Sequence, residues 1–444
     1  MLFKQFVDED LGCASYLVGD EDAGVAAVVD PAYAIEPYLE AAEHHNVELK
    51  RVLETHTHAD HVSGHGRLAL EHGVPVAIHP AAEPEFEFEP LDDGAEIELG
   101  QVGIRVIHTP GHRPEHCAFA VVDRARGDEP WLTLTGDSLF VGDAARPDLA
   151  IEAREGAQGL YRSLQRLLEL PDGVEVYPGH VSGSLCGAGM SSKASTTIGF
   201  ERRFNHRLNL ASEEEFVAEF ADPGLRPPNM DRIVAINRGP FVGASAPLAR
   251  VAASDGATIL DVRSAKAFAA GHPHDAINVP VGGSQFPTRS AFVLDPGDQI
   301  ILHGSQEEVE RGARGLRAVG FLELGGYLAG DSDADTLRPI GLDELEQLLA
   351  SGDVQLVDVR EKEERDDGYI PESRHIPYRR VRDFADELGG DGTVVTICQT
   401  GARASLAASI LAVEGVPARP VIGAGVPDWE AAGKPTASFR RCGS

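Results

Sequence analysis

Cysteine is scarce in these 444 residues: there are five, at positions 13, 117, 186, 398 and 442, in no regular pattern. An odd, scattered set argues against a disulfide-stapled fold and fits a reducing cytoplasm, where each thiol is either buried filler or a reactive group. Positive charge is also short, with 39 Lys and Arg against 71 Asp and Glu and a formal net charge of −32. That balance argues against a nucleic-acid partner or an anionic membrane surface, and an anionic substrate must be drawn in by local basic groups. No apolar run approaches the roughly 20 residues of a bilayer-spanning helix. The opening Met1-Leu2-Phe3-Lys4-Gln5-Phe6-Val7-Asp8 turns acidic too soon for a secretory leader. The length suits two to four domains, each large enough to bury its own core.

What the chain does have is a dense cluster of metal-binding side chains. His56-Thr57-His58-Ala59-Asp60-His61 follows the apolar strand end Val52-Leu53, so a turn leaving that strand can aim alternate side chains into one cleft. Neutral imidazoles with a carboxylate suit iron or zinc. Three later segments repeat the device: Thr109-Pro110-Gly111-His112, Thr135-Gly136-Asp137 and Tyr177-Pro178-Gly179-His180. Each ends a short apolar run with a Gly beside the candidate ligand, where the backbone must turn tightly. Strand patterns lie at Val25–Val29, Val74–Ile78, Ile104–Ile107 and Trp131–Leu134, and a helical one at Gly159–Leu168. The acidic, proline-bounded Glu83–Pro90 is expected to be a surface loop.

This order and spacing resemble the metallo-β-lactamase fold superfamily over about the first half of the chain. The resemblance implies a sandwich of two mixed sheets flanked by helices, with a metal cleft at one edge. The superfamily holds hydrolases as well as oxygenases, so the motif speaks to the fold more than to the reaction.

Pro and Gly punctuate the chain at Ala221–Pro228, and beyond them lies an internal repeat. Ala257–Arg263 and Val354–Arg360 both read as buried strands ending in Asp-Val-Arg, followed by a charged helical stretch and an Ile-Asn-Val-Pro or Ile-Pro phrase. Two copies of this kind indicate paired α/β domains, joined through a linker at Ala329–Asp335. The expected domains are 1–228, 229–333 and 334–444. In the last, the strand Val394-Val395-Thr396-Ile397 delivers Cys398 to the loop Gln399-Thr400-Gly401, and a helix starts directly after. Successive backbone N–H groups and a helix N-terminus stabilise a thiolate or persulfide anion there. Strand, phrase and loop together resemble a rhodanese sulfurtransferase, with the Cys-x4-Arg spacing carried by Cys398 and Arg403. The middle copy departs from it: Gln299–Leu302 runs into His303-Gly304-Ser305, without a thiol, so that copy is expected to be structural.

A metallo-β-lactamase-like domain followed by an inactive and an active rhodanese domain resembles the persulfide dioxygenase–rhodanese fusions of sulfide detoxification. That resemblance implies one Fe(II) per chain on His56, His112 and Asp137, with His58, Asp60, His61 and His180 behind them or holding a second metal. It also implies oxidation of a thiol persulfide by O2 to sulfite, and conversion of sulfite to thiosulfate at Cys398 with help from Arg403. Arg146, in Arg146-Pro147-Asp148, either holds a substrate carboxylate or makes a surface ion pair. Cys186, in a Gly-rich loop after His180, is a second candidate reactive thiol, while Cys13, Cys117 and Cys442 read as core filler or tail. The alternative is a zinc thioester hydrolase with an appended sulfurtransferase. Partners expected are a small thiol persulfide, O2 and sulfite, with no nucleic acid and no membrane, in a homo-oligomer.

Overall fold

Strands that are apolar along their whole length must be covered on both faces, and Val25–Val29 and residues 117–122 of Cys117–Asp123 are of this kind. A computed structural model describes the chain apart from residues 148–151, 182–190, 192, 221–225, 255, 284, 329–334, 391 and 440–444. It divides into two units, Met1–Ser245 with Arg317–Leu322, and Ala246–Leu316 with Glu323–Ser444.

The first unit holds two six-stranded sheets. One runs in sequence order through β1 (Leu2–Val7), β2 (Ala14–Asp20), β3 (Val25–Val29), β4 (Glu48–Leu53), β5 (Val76–Ile78) and β6 (Glu89–Pro90). The other places β7 (Glu96–Leu99), β8 (Val102–His108), β9 (Cys117–Asp123), β10 (Pro130–Gly136), β11 (Glu175–Pro178) and β12 (Thr196–Thr197) side by side. Both are mixed, antiparallel over β1–β3 and β7–β10 and parallel at β3–β6 and β10–β11. Alternate residues face opposite sides of a strand. Tyr16, Val18, Ala27 and Val29 therefore join Ile104, Phe119, Val121 and Leu134 in one core between the sheets. Their neighbours Leu17, Ala26 and Val28 pack outward, with Tyr38 and Ala41 of helix α1 (Glu36–His44) and Leu68 of α2 (His65–His72). On the far side, Leu160, Leu164 and Leu167 of α3 (Ala153–Leu167) cover Ala118, Ala120 and Val176. The result is the αββα sandwich that the motifs predict.

Two details differ from the sequence expectation. Glu83–Pro90 is not a free surface loop: Phe86 is buried in the outer cluster, and Glu89–Pro90 pairs with β5. Helix α4 (Met230–Arg238), expected with the following domain, packs in the first unit. There Asn237 donates to the carbonyls of His58 and His61, both at 2.9 Å, and accepts from the Ser63 amide.

The second unit contains two all-parallel sheets. The middle copy orders β13 (Arg250–Val251), β17 (Gly326–Leu328), β16 (Ile300–His303), β14 (Thr258–Asp261) and β15 (Ile277–Asn278). The last copy orders β19 (Arg374–His375), β18 (Val354–Asp358), β20 (Thr393–Ile397) and β21 (Ala418–Pro420). The shared Asp-Val-Arg phrase has one physical role in both. Arg263 forks onto Asp261 and reaches the Gly271 carbonyl, and Arg360 forks onto Asp358 and reaches the Gly368 carbonyl. A planar guanidinium is suited to such a bidentate pair. Of the expected linker, only Asp335 lies within the described residues, bridged to His272.

Sheet register also shows what stands at the thiol position of the middle copy. Asp261 pairs with His303, and Asp358 with Ile397, so Gly304 is the counterpart of Cys398. Two residues, Gly304 and Ser305, then precede helix α6 (Gln306–Ala318), which follows α5 (Phe286–Val293). Four, Cys398 to Gly401, precede α7 (Ala402–Val413). The middle copy thus lacks the loop as well as the thiol.

The Cys398 loop is pinned from outside by Gly425, where an added Cβ would fall 2.1 Å from the Gln399 carbonyl oxygen and 2.4 Å from that of Cys398. Gly425→Ala is expected to cost about 1–3 kcal/mol through this overlap. An unchanged denaturant midpoint for the full chain would show that the approach is not tight.

Candidate metal centre and sulfur-transfer loop

The loops leaving β3, β4, β8, β10 and β11 supply the first site. Asp30, at the end of β3, accepts from the Thr55 amide (2.7 Å) and hydroxyl (2.8 Å). Because the Thr55 hydroxyl spends its proton on Asp30, it accepts from His56 Nδ1 at 2.9 Å, which leaves Nε2 of His56 with a bare lone pair. His112 is oriented the same way: its Nδ1 donates to the Arg146 carbonyl at 2.8 Å, and its Nε2 lies 3.7 Å from Asp137 Oδ2. A fixed tautomer of this kind is what a ligating imidazole requires.

One donor atom from each of His56, His112 and Asp137 lies within 4.8 Å of the others, and all three residues are buried. Burial, reinforced by His58 and His112, holds His56 well below its ordinary pKa, and burial also lowers His112. Both rings are therefore neutral. Burial alone would raise Asp137, but His180 outweighs it and keeps the carboxyl well below the usual range. Two neutral imidazoles and one carboxylate form a donor set that fits a divalent iron or zinc.

The remaining sequence-predicted residues lie behind this group. His180 spans from Asp137 Oδ1 (2.8 Å, through Nδ1) to Asp60 Oδ2 (2.7 Å, through Nε2). His61 sits 3.3 Å from Asp60, and its buried Nε2 has no hydrogen-bond partner among the described residues. His58 turns the other way, 3.2 Å from both Asp30 and Glu54. Burial and His61 press its pKa down, but the carboxylates lift it to about 9. Arg146 is buried, not on the surface, and its carbonyl serves His112.

Cys13 requires a correction. Expected to be filler, its Sγ lies 3.3 Å from Asp60, 3.4 Å from His61 and 3.3 Å from His180. An isolated bridge between Cys13 and His180, together with the Ala14 amide bonded to the Gly179 carbonyl, brings the start of β2 to the end of β11. No sequence spacing announces that long-range contact. His116 was also missed: its Nε2 accepts from the Asp137 amide at 2.9 Å, and its Nδ1 bonds Thr109 Oγ1 at 2.8 Å. Burial, with His112 beside it, pushes its pKa down to about 3. Cys117 is core filler as expected. Cys186 and Cys442 lie outside the described residues.

The second site is the loop after β20. Cys398 is buried, its Sγ accepts from the Gly401 amide at 3.1 Å, and its carbonyl accepts from Val426. Gly401 has φ +103, and a Cβ there would meet Ile422 Cα at 2.9 Å, so glycine is required. Arg403 is the next cation along, but its guanidinium is forked onto Glu364 at 2.5 and 2.6 Å.

Comparison with known proteins agrees with both halves. Residues 8–180 match the metallo-beta-lactamase superfamily, and residues 341–432 match the rhodanese-like domain. An uncharacterised protein of Mycobacterium leprae is 33% identical over 46% of this chain and 97% of its own length. The mitochondrial persulfide dioxygenase of Bos taurus is 27% identical over 48% of this chain and 78% of its own. The cytoplasmic hydroxyacylglutathione hydrolase of Arabidopsis thaliana is 35% identical over 37% and 62%. A crystal structure of a metallo-beta-lactamase from Staphylococcus aureus superposes with TM-score 0.68 at 28% identity, covering 74% of this chain and 98% of that one. The chain belongs to the metallo-beta-lactamase superfamily and carries a rhodanese-like domain after it. Members of that superfamily are metal-binding enzymes. No helix among the described residues is long and apolar enough to cross a membrane.

His116→Ala is expected to weaken metal affinity about 10–100-fold, because it removes the partner of the Asp137 amide and frees the carboxylate to drift. Metal content after dialysis against a graded chelator measures this. Wild-type retention would mean that His116 only fills space.

Proposed function

We propose that this protein is an Fe(II)-dependent persulfide dioxygenase fused to a sulfurtransferase. The observation that carries the reading is a two-His, one-carboxylate donor group on the same chain as a rhodanese-type cysteine loop. Three protein donors would hold an iron while leaving it open to substrate and O2, as in non-haem iron oxygenases. Its likeness to the bovine persulfide dioxygenase supports the same reading. The proposed reaction takes a thiol persulfide, O2 and water to thiol and sulfite with two protons. The sulfane sulfur loses four electrons and O2 gains them.

In this reading His56, His112 and Asp137 hold one iron, which supplies the O2 chemistry that no side chain has. Thr55 and the Arg146 carbonyl keep the two rings in the ligating tautomer. His180, between Asp137 and Asp60, fixes the carboxylate. Arg146 is the candidate for a substrate carboxylate. At the second site Cys398 accepts the sulfane sulfur of a second persulfide, and sulfite removes it as thiosulfate. The thiolate that leaves is regenerated Cys398.

A thioester hydrolase with zinc is the competing reading. It draws support from the Arabidopsis relative and from a second donor group, Cys13, Asp60 and His61, beside the first. Oxygen uptake on a low-molecular-weight persulfide by iron-loaded protein, against thioester hydrolysis by zinc-loaded protein, separates the two. His112→Ala is expected to abolish O2 uptake while leaving sulfur transfer at Cys398 intact, since the loop belongs to another unit. Wild-type uptake by metal-poor His112→Ala would overturn the iron assignment.

Cys398→Ser is expected to change the product instead. Oxidation continues, but sulfite accumulates in place of thiosulfate, because a hydroxyl cannot carry sulfane sulfur and is a weak nucleophile. Thiosulfate formed at the wild-type rate would disprove the coupling of the two centres.

A further inference from the structure

The middle copy has neither thiol nor loop, yet it reaches the Cys398 site with a cation. Helix α5 lies against the segment Tyr378–Phe384: the Phe292 ring stands 6.4 Å from Tyr378, and the Arg379 guanidinium sits over Phe292 at 5.8 Å. One turn earlier on α5 is Arg289. The charged groups that act on it most are Arg403, Tyr378, Cys398 and Glu364, all belonging to the last copy. The two copies are also hydrogen-bonded directly. Asn278 of the middle copy donates through its amide to Ser409 and accepts from the Ser405 hydroxyl at 2.7 Å, both on α7.

The two arginines at this site are not equivalent. Arg403 is matched by Glu364 in a bidentate pair and its charge is spent. Arg289 is half-buried, and its buried Nε has no hydrogen-bond partner among the described residues. Burial, then the Arg403 guanidinium, lowers its pKa against the opposing pull of Tyr378, Cys398 and Glu364. A buried guanidinium N–H without a partner is costly unless an acceptor joins it. On a chain with net charge −32 an anionic acceptor cannot be drawn in by the overall field.

We propose that Arg289 of the middle copy is the anion-binding residue of the Cys398 site, holding a small sulfur oxyanion, sulfite or thiosulfate, against the loop. The inference rests on the sulfurtransferase reading and adds its specificity residue. In the transfer, the lone pair of sulfite attacks the outer sulfur of the Cys398 persulfide. A new S–S bond forms, the persulfide S–S bond breaks, and thiosulfate departs from the Cys398 thiolate with charge conserved. Arg289 holds the dianion through its planar fork of donors, whose geometry matches two oxygens.

The full chain tests this without relying on turnover. Alkylation of Cys398 by anionic iodoacetate is compared with neutral iodoacetamide, read on the Cys398 peptide by mass spectrometry. Arg289→Gln is expected to lower the iodoacetate-to-iodoacetamide rate ratio about tenfold and to raise KM for thiosulfate by a similar factor, with Arg289→Lys between the two. Millimolar sulfite should protect wild-type Cys398 from iodoacetamide and fail to protect Arg289→Gln. Should Arg289→Gln not fold, the longer apolar Arg289→Met replaces it, and sulfite protection of the wild type stands by itself. An unchanged rate ratio in a folded variant, or no protection of the wild type, overturns the proposal. Cys398→Ser separates the two levels: if it abolishes transfer while Arg289→Gln changes nothing, the sulfurtransferase reading stands and only the role of Arg289 falls. If Cys398→Ser still transfers sulfur, the reading beneath it is what fails.

Discussion

His180 joins Asp137 to Asp60 through its two ring nitrogens, and that chain of charge ties the end of β11 to the loops after β10 and β4. His180 and Asp137 are buried and Asp60 is half-buried, where an unpaired ionised side chain would cost several kcal/mol. The sandwich tolerates His180, Asp137 and Asp60 because each has a counterpart in the other two. Asp30 performs the same service on the other flank, clasping Thr55 by amide and hydroxyl and facing His58. Among the lone pairs left over after this pairing are those of His56 and His112, which lie within 4.8 Å of a carboxylate oxygen of Asp137. The donor set for a metal is thus held by side chains whose other polar atoms are engaged by Thr55, the Arg146 carbonyl and His180.

Much of this was legible because the ligand positions are tied to strand ends. Strand alternation sorts Tyr16 and Val18 inward and Leu17 outward, and each run stops beside a Gly that lets the next residue turn into the cleft. His112, Asp137 and His180 all stand in that position, so local sequence carries most of the information. Cys13, His116 and Asn237 were not legible for the opposite reason. Cys13 meets His180 only through a bridge between strands far apart in the chain, and Asn237 reaches the loop from a helix beyond the punctuated segment. His116 follows the ligand loop at no motif spacing and acts on a backbone amide. Contacts set by sheet closure leave no periodic trace. Cys186, the candidate reactive thiol that follows His180 in the sequence, falls outside the described residues.

The duplicated α/β copies show how a shared phrase can carry structure while function diverges. Asp-Val-Arg makes the same fork and captures the same glycine carbonyl in both, so its retention says nothing about chemistry. What differs is the loop after the central strand: four residues with a Cys at the first position in one copy, two residues with Gly304 there in the other. A two-residue connection cannot turn several backbone amides toward one point, so restoring a cysteine at Gly304 would not by itself rebuild an anion-binding loop.

That asymmetry also explains the character of α7. From Ala404 to Leu411 every residue is buried, so the helix is apolar on all sides and needs cover on more than the face toward its own sheet. The middle copy provides it, and Asn278 satisfies the two serines that interrupt the apolar surface. Because α7 begins directly at the Cys398 loop, whatever fixes the helix also fixes the direction of its N-terminal amides. The same packing places α5 beside Tyr378, which is the geometric condition for a middle-copy arginine to act on a thiol that its own domain does not possess.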